Sequence, residues 1–239
     1  MEYIKGKYVY QTLKEILDPK HTALLIVDMQ NGLASLEGYT ARQGDISVAH
    51  QQSIIPNIKL LLDTARGTGV RVVHIRVVSA ENMAFSSPAS LYSGKKMVHF
   101  GAYWGHPGNE VRKSNSTIMI DGSWESEIVD ELSPNPEEFI VRKYTNTAFI
   151  NTPMNQVLRS NHVESVVVTG TTTAGCVLAT SFDALWNDYY TVLANDAIAD
   201  CFPERHQAGM AILGEKFDMP SSLEISKIWE DSPHRLNGN

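Results

Sequence analysis

Short, unbroken apolar runs alternate along this chain with longer stretches of helical periodicity, and that alternation leaves few architectures open. Ala23-Leu24-Leu25-Ile26-Val27 places five apolar residues in succession and stops at Asp28. A strand apolar on both faces must be buried on both, which is the situation of a strand inside a parallel sheet. Further strands are expected at Val70 to Val78, Glu138 to Arg142, Val166 to Thr169, Tyr190 to Leu193 and, briefly, Leu223 to Ile225. Helices are expected between them. Ile54 to Ala65 repeats Ile55, Ile58, Leu61, Leu62 and Ala65 at helical spacing, closed by Gly67 and Gly69. A short helix is expected at Trp124 to Glu131. Pro153 to Ser160 reads as a helix with Pro153 at its first position and Thr152 as its cap. Cys176 to Asn187 and Pro203 to Phe217 complete the set. Strands and helices in turn predict an α/β fold, a parallel sheet covered by helices on both faces.

The 239 residues suit one large domain, and 43% hydrophobic residues suffice for its core. Residues 1–21 are expected to form an N-terminal arm with a short helix near Gln11 to Leu17, and residues 22–239 a single domain. Residues 79–122, rich in Ser, Gly, Asn and aromatics, read as a long excursion carrying Phe100, Tyr103 and Trp104. Loops of that length usually cover a site or a subunit contact. A net charge of −7 without a basic block argues against nucleic acid and anionic membranes as partners. Two cysteines give no disulfide framework. Neither a leader-like segment nor a membrane-length apolar run is visible, so a soluble, reducing, cytoplasmic setting is expected.

In open parallel sheets, ligands bind beyond the carboxyl ends of the strands. Three expected strand ends carry reactive residues: Asp28, Lys143 after Glu138 to Arg142, and Cys176 after the turn Gly170-Thr171-Thr172-Thr173-Ala174-Gly175. A cysteine opening a helix is often a small apolar filler, and a charged strand end is often a solvated rim position. Together the three make coherent chemistry. A helix N-terminus and a nearby ammonium favour a thiolate. A carboxylate can take the thiol proton and pass it to a leaving group. Loop N–H groups can hold an oxyanion.

Val27-Asp28-Met29-Gln30-Asn31, Arg142-Lys143 with Asn151-Thr152-Pro153, and Gly170-Thr171-Thr172-Thr173-Ala174-Gly175-Cys176-Val177 resemble, in that order, the isochorismatase-like cysteine hydrolases. The resemblance spans roughly Thr22 to Gly214. It implies a three-layer α-β-α, Rossmann-like fold with a six-stranded, mostly parallel sheet. It also implies an Asp28-Lys143-Cys176 triad, a cis Thr171–Thr172 peptide and an oxyanion hole from the N–H groups of Thr172 and Cys176. Family members that hydrolyse a vinyl ether generally lack this cysteine, so the implied activity is C–N hydrolysis. The expected enzyme is a cysteine amidohydrolase that cleaves a small linear amide or ureido compound through a thioester and releases ammonia. The alternatives are an isochorismatase-type vinyl-ether hydrolase or a non-catalytic binding protein that keeps the fold. Val73-His74-Ile75-Arg76 lacks the Asp-x-His of metal-binding members, so neither metal nor cofactor is expected. Related enzymes imply a homo-oligomer, dimer or tetramer.

Other residues have weaker claims. Asn31, Arg76, Tyr144 and Thr171 are candidate substrate-binding residues, with Asn146 beside them. Arg76 suits either a substrate carboxylate or a protein acid. Cys201 is a rival nucleophile without a cation beside it before Arg205. His206 reads as a structural hydrogen-bonding residue.

Overall fold

The computed structural model describes residues 1–42, 46–80, 84–85, 87–89 and 119–234. Its centre is a parallel sheet of β3 (Thr22–Val27), β4 (Arg71–Val77), β5 (Phe139–Lys143), β6 (Ser165–Thr171) and β7 (Tyr190–Ala199), in the order β5-β4-β3-β6-β7. The apolar run that opened the sequence reading is therefore the central strand, fully buried along its length. Its side chains divide with the period of two that a strand imposes. Leu24 and Ile26 join the core on one face, and Ala23, Leu25 and Val27 join the core on the other. The first face is covered by α4 (Ala49–Thr68) and α8 (Ser222–Glu230). Met154, Leu158, Ala184 and Leu213 cover the second, from α5 (Met154–Ser160), α6 (Leu178–Trp186) and α7 (Pro203–Gly214).

Ahead of the sheet, β1 (Glu2–Ile4) and β2 (Lys7–Val9) form an antiparallel hairpin that the sequence reading did not anticipate. The short helix α1 (Leu13–Ile16) follows, with Thr12 and Glu15 making a capping box. Two further short helices, α2 (Asn31–Ala34) and α3 (Tyr39–Arg42), lie between β3 and α4. Among the described residues no helix is long and apolar enough to cross a membrane.

Several expectations are corrected. Among the described residues the sheet has five strands where six were expected. Leu223 to Ile225 is not a strand but the start of α8, because Ser221 caps it and Ser222, Ile225, Ser226 and Trp229 share a buried helical face. The outer edge of β7 is met instead by an isolated bridge, Val192 with Asp218. Trp124 to Glu131 forms two 3-10 turns, Trp124–Ser126 and Asp130–Leu132, in place of one helix. Pro153 caps α5 from just outside it, and the Thr152 hydroxyl accepts from Met154 N–H at 3.2 Å. Gly67 lies inside α4, and Gly69, at φ 82°, terminates it. Most of the 79–122 excursion, including Phe100, Tyr103 and Trp104, lies outside the described residues.

Candidate functional site

Asp28 is the residue at which the central strand stops. Its N–H makes a last rung to Ile75 O at 3.0 Å, and its φ of 52° then turns the chain away. An aspartate enters that left-handed region more readily than most residues. Lys143 ends β5, one strand removed, paired in register with Val77 of β4. It is the last strand residue rather than the one after it. Cys176 follows β6, on the other side of β3. The route from β6 to Cys176 runs through Gly170, whose φ is 105° and whose Cβ, if present, would stand 2.1 Å from Val27 O. Only glycine permits that approach of β6 to the end of the central strand.

Cys176 does not open an ordinary α-helix. It sits in a wide turn of π geometry, Thr173–Val177, that runs directly into α6. Thr172 O accepts from both Gly175 and Val177 N–H. The Thr171–Thr172 peptide is cis. Such single wide turns are frequent at functional sites.

The three side chains meet. Lys143 Nζ lies 2.8 Å from Asp28 Oδ2, donates to Cys176 Sγ at 3.2 Å and donates to Thr145 O at 3.0 Å. An ammonium has three N–H donors, and these partners use all of them. Asp28 and Lys143 are completely buried, whereas Cys176 is half-buried and keeps open surface. Burial, opposed by the Lys143 charge and its hydrogen bond, leaves the Asp28 carboxyl above its ordinary value. For Lys143, burial disfavours the charge, but Asp28 and Cys176 outweigh it and hold the ammonium more firmly than usual. The Cys176 thiol departs from expectation. Burial, with Asp28 adding to it and Lys143 opposing it, pushes it up to about 12. The resting group is a neutral thiol beside a carboxylate–ammonium pair, so a base must take its proton when it reacts.

The remaining candidates are dispersed. Arg76 points to the opposite sheet face from Val73 and Ile75. Its Nε donates to Ser126 O at 2.7 Å, and its Nη2 donates to Ser126 Oγ at 2.9 Å and Glu127 Oε1 at 3.1 Å. It is therefore engaged by protein groups of its own chain. Asn31 is buried, with Nδ2 donating to Trp124 O at 3.0 Å. Thr171 is fully buried and donates to Ala199 O at 3.1 Å. Tyr144 is half-buried, and its ring stacks on Phe85 at 4.1 Å. Asn146 is exposed. His206 Nδ1 lies 2.8 Å from the Thr173 hydroxyl, at the start of the cysteine turn.

Cys201 is also pushed up to about 12, by burial and then by Asp200, so acidity does not separate the two thiols. Their neighbours do. Cys201 packs with Ile46 and Phe202, and its thiol faces Asp200 at 3.7 Å. Sequence reasoning missed Gln30, Thr145 and Asp200. Asp200 Oδ2 accepts from Ala174 N–H at 3.3 Å, tying down the cysteine turn. Only Gln30, inside the Asp28-Met29-Gln30-Asn31 motif, had a visible signal.

The chain matches the isochorismatase domain over residues 22–224. It is 32% identical over 209 residues to the ureidoacrylate amidohydrolase RutB of Agrobacterium fabrum, covering 84% of this chain and 86% of that one. Over 192 residues it is 30% identical to the RutB of an Enterobacter species, with 78% of each covered. A cysteine hydrolase from Pseudomonas syringae superimposes with a TM-score of 0.72 at 21% identity, covering 89% of this chain and 94% of that one.

Proposed function

The chain belongs to the isochorismatase family, and from that premise we propose that it is a cysteine amidohydrolase cleaving a C–N bond of a small linear amide or ureido compound. One observation carries the reading: the Lys143 ammonium touches the Asp28 carboxylate and the Cys176 sulfur at once. The relatives named ureidoacrylate amidohydrolases support amide or ureido chemistry.

In the proposed reaction, Asp28 takes the thiol proton as Cys176 Sγ forms a bond to the substrate carbonyl carbon. Base and nucleophile are thus paired without a preformed thiolate. Lys143 stays charged throughout and stabilises the negative charge as it passes from carboxylate to sulfur to carbonyl oxygen. The N–H groups of Thr172 and Cys176 serve as the oxyanion hole. The C–N bond breaks as the proton passes from Asp28 to the departing nitrogen, leaving a thioester and ammonia. Water then adds to the thioester with Asp28 again accepting a proton, and cleavage of the C–S bond returns the thiol.

An ammonia-release screen over ureido acids, maleamate, nicotinamide and biuret-like compounds tests this. Release from at least one of them, abolished in Cys176→Ala while the fold persists, is the expected outcome. Equal activity in Cys176→Ala sinks the mechanism. Pyruvate release from isochorismate without ammonia release from any amide replaces it with vinyl-ether hydrolysis.

A further inference from the structure

Gln30 is completely buried two residues beyond Asp28, and its side chain bonds only to backbone. Oε1 accepts from Val77 N–H at 2.9 Å, while Nε2 donates to Val77 O at 3.0 Å and to Ser126 O at 2.8 Å. The Gln30 N–H also donates to Asp28 O at 2.8 Å, closing the turn in which Asp28 sits. These bonds fall where the β3–β4 ladder ends. Beyond the Asp28 N–H to Ile75 O bond, the main chain of β3 no longer runs beside β4. The Gln30 amide takes its place, giving to and accepting from Val77 as a neighbouring strand would.

Val77 is the register partner of Lys143, and the next N–H, of Val78, donates to Lys143 O at 3.0 Å. One side chain therefore bridges the turn that carries Asp28 and the strand end against which Lys143 is held. Ser126 O is fixed a second time by Arg76 Nε at 2.7 Å, so the far anchor of Gln30 is itself buried and rigid. We propose that Gln30 is a positioning residue that sets the separation of Asp28, Lys143 and Cys176, acting through Val77 and without touching substrate. The inference rests on the cysteine-hydrolase reading of those three residues. It assigns work to the motif glutamine, which the proposed reaction does not otherwise use.

The test uses a readout that needs no substrate: the rate of Cys176 alkylation by iodoacetamide at pH 8, located by mass spectrometry. Gln30→Met keeps the length and removes every side-chain hydrogen bond. Gln30→Asn is the milder variant, keeping an amide one methylene too short to reach. A Lys143 ammonium displaced from the thiol raises the thiol's pKa, and one unit slows alkylation about tenfold below that pKa. The expected result is slower alkylation of Cys176 in both variants, larger in Gln30→Met. Simple loosening of the fold exposes the sulfur and speeds alkylation, so the two effects have opposite signs. Thr64→Val, which removes a buried hydroxyl from α4 on the other side of the sheet, serves as the destabilised control. Alkylation in both Gln30 variants equal to or faster than wild type, at matched thermal stability, overturns the proposal. On the substrate found in the ammonia screen, kcat should fall up to about 100-fold with KM little changed, the scale of a misplacement near 1 Å. If no amide is hydrolysed but alkylation slows as expected, the activity reading fails and the positioning role of Gln30 stands.

Discussion

Two charge clusters are buried against the same pair of strands, and they are built on opposite plans. At the carboxyl ends, Asp28 is answered by the Lys143 ammonium at 2.8 Å with the Cys176 thiol beside it, and neither of its buried carboxyl oxygens accepts a well-formed hydrogen bond. On the other face of β4, Glu138 is answered from every side. Arg66 donates to it through Nε at 2.7 Å and Nη2 at 3.0 Å, Asn135 N–H donates at 2.8 Å, and His74 Nε2 stands at 3.0 Å. Burial pushes both carboxyls up. At Glu138 the Arg66, Asn135 and His74 contacts more than compensate and hold it below its ordinary value, while Asp28 stays above its own. A saturated carboxylate has no capacity left for a proton in transit, whereas an under-satisfied one beside a thiol does. The lesson is that burial and charge alone do not mark a site. Between these two clusters, what differs is the unfilled hydrogen-bonding capacity of the carboxyl.

Removing each acid should separate the two plans most sharply. Asp28→Asn is expected to lower kcat by about 10⁴-fold, as loss of the orienting or accepting acid does in comparable nucleophile systems. Steady-state ammonia release checks this, and an effect below tenfold would dissolve the contrast with Glu138. Lys143→Met keeps the stem and deletes the charge shared by acid and sulfur. Turnover should then fall by about 10²–10³-fold, the scale of losing one preorganised electrostatic donor. Glu138→Gln should leave kcat per folded molecule unchanged. It should cost about 1–3 kcal/mol of unfolding free energy in urea melts, because the Arg66 and His74 donors lose a charged acceptor.

The pH responses should also run in opposite directions. Glu138 lies below its ordinary 4.5, so its contribution is present above that value and lost as the pH falls through the folded pKa. His74 is pushed below its ordinary 6.5 by burial, so the unfolded chain takes up that proton first on acidification, and stability declines from about pH 6.5 downward. Asp28, raised above 3.8, favours the folded state as the pH falls, partly opposing this slope. Denaturant melts from pH 7 to pH 4 should show a net decline that is shallower in Glu138→Gln. Because Asp28 must be ionised to accept the thiol proton, the acid limb of kcat/KM should lie above the usual aspartate range. A limb at or below 3.8 would contradict that.

What could be read from the chain alone follows from local chemistry. The apolar run Ala23 to Val27 announced a doubly buried strand because burial on both faces leaves no polar alternation. Asp28, Lys143 and Cys176 were recognisable because each stood at the end of such a run or its following turn. What depended on long-range contacts was illegible. Ser221 capping α8, and the burial of Ile225 and Trp229 beneath it, turned an expected sixth strand into a helix. The hydrogen bonds that Arg76 makes to Ser126 and Glu127 join segments remote in sequence, and no local pattern announced them.

The sequence by itself determined the layered α/β architecture and singled out Asp28, Lys143 and Cys176 as candidates, because periodicity and residue chemistry are local properties. Tertiary structure alone decided their relation. It put Lys143 of the outermost strand within reach of both the central strand's aspartate and the thiol beyond β6. It set that thiol among groups that push its pKa up to about 12, and it left the Asp28 oxygens without a full set of hydrogen-bond donors. Each of these depends on how far groups remote in sequence stand from one another and from water. Hydrogen bonds and Coulomb forces act over those distances, and no local pattern encodes them.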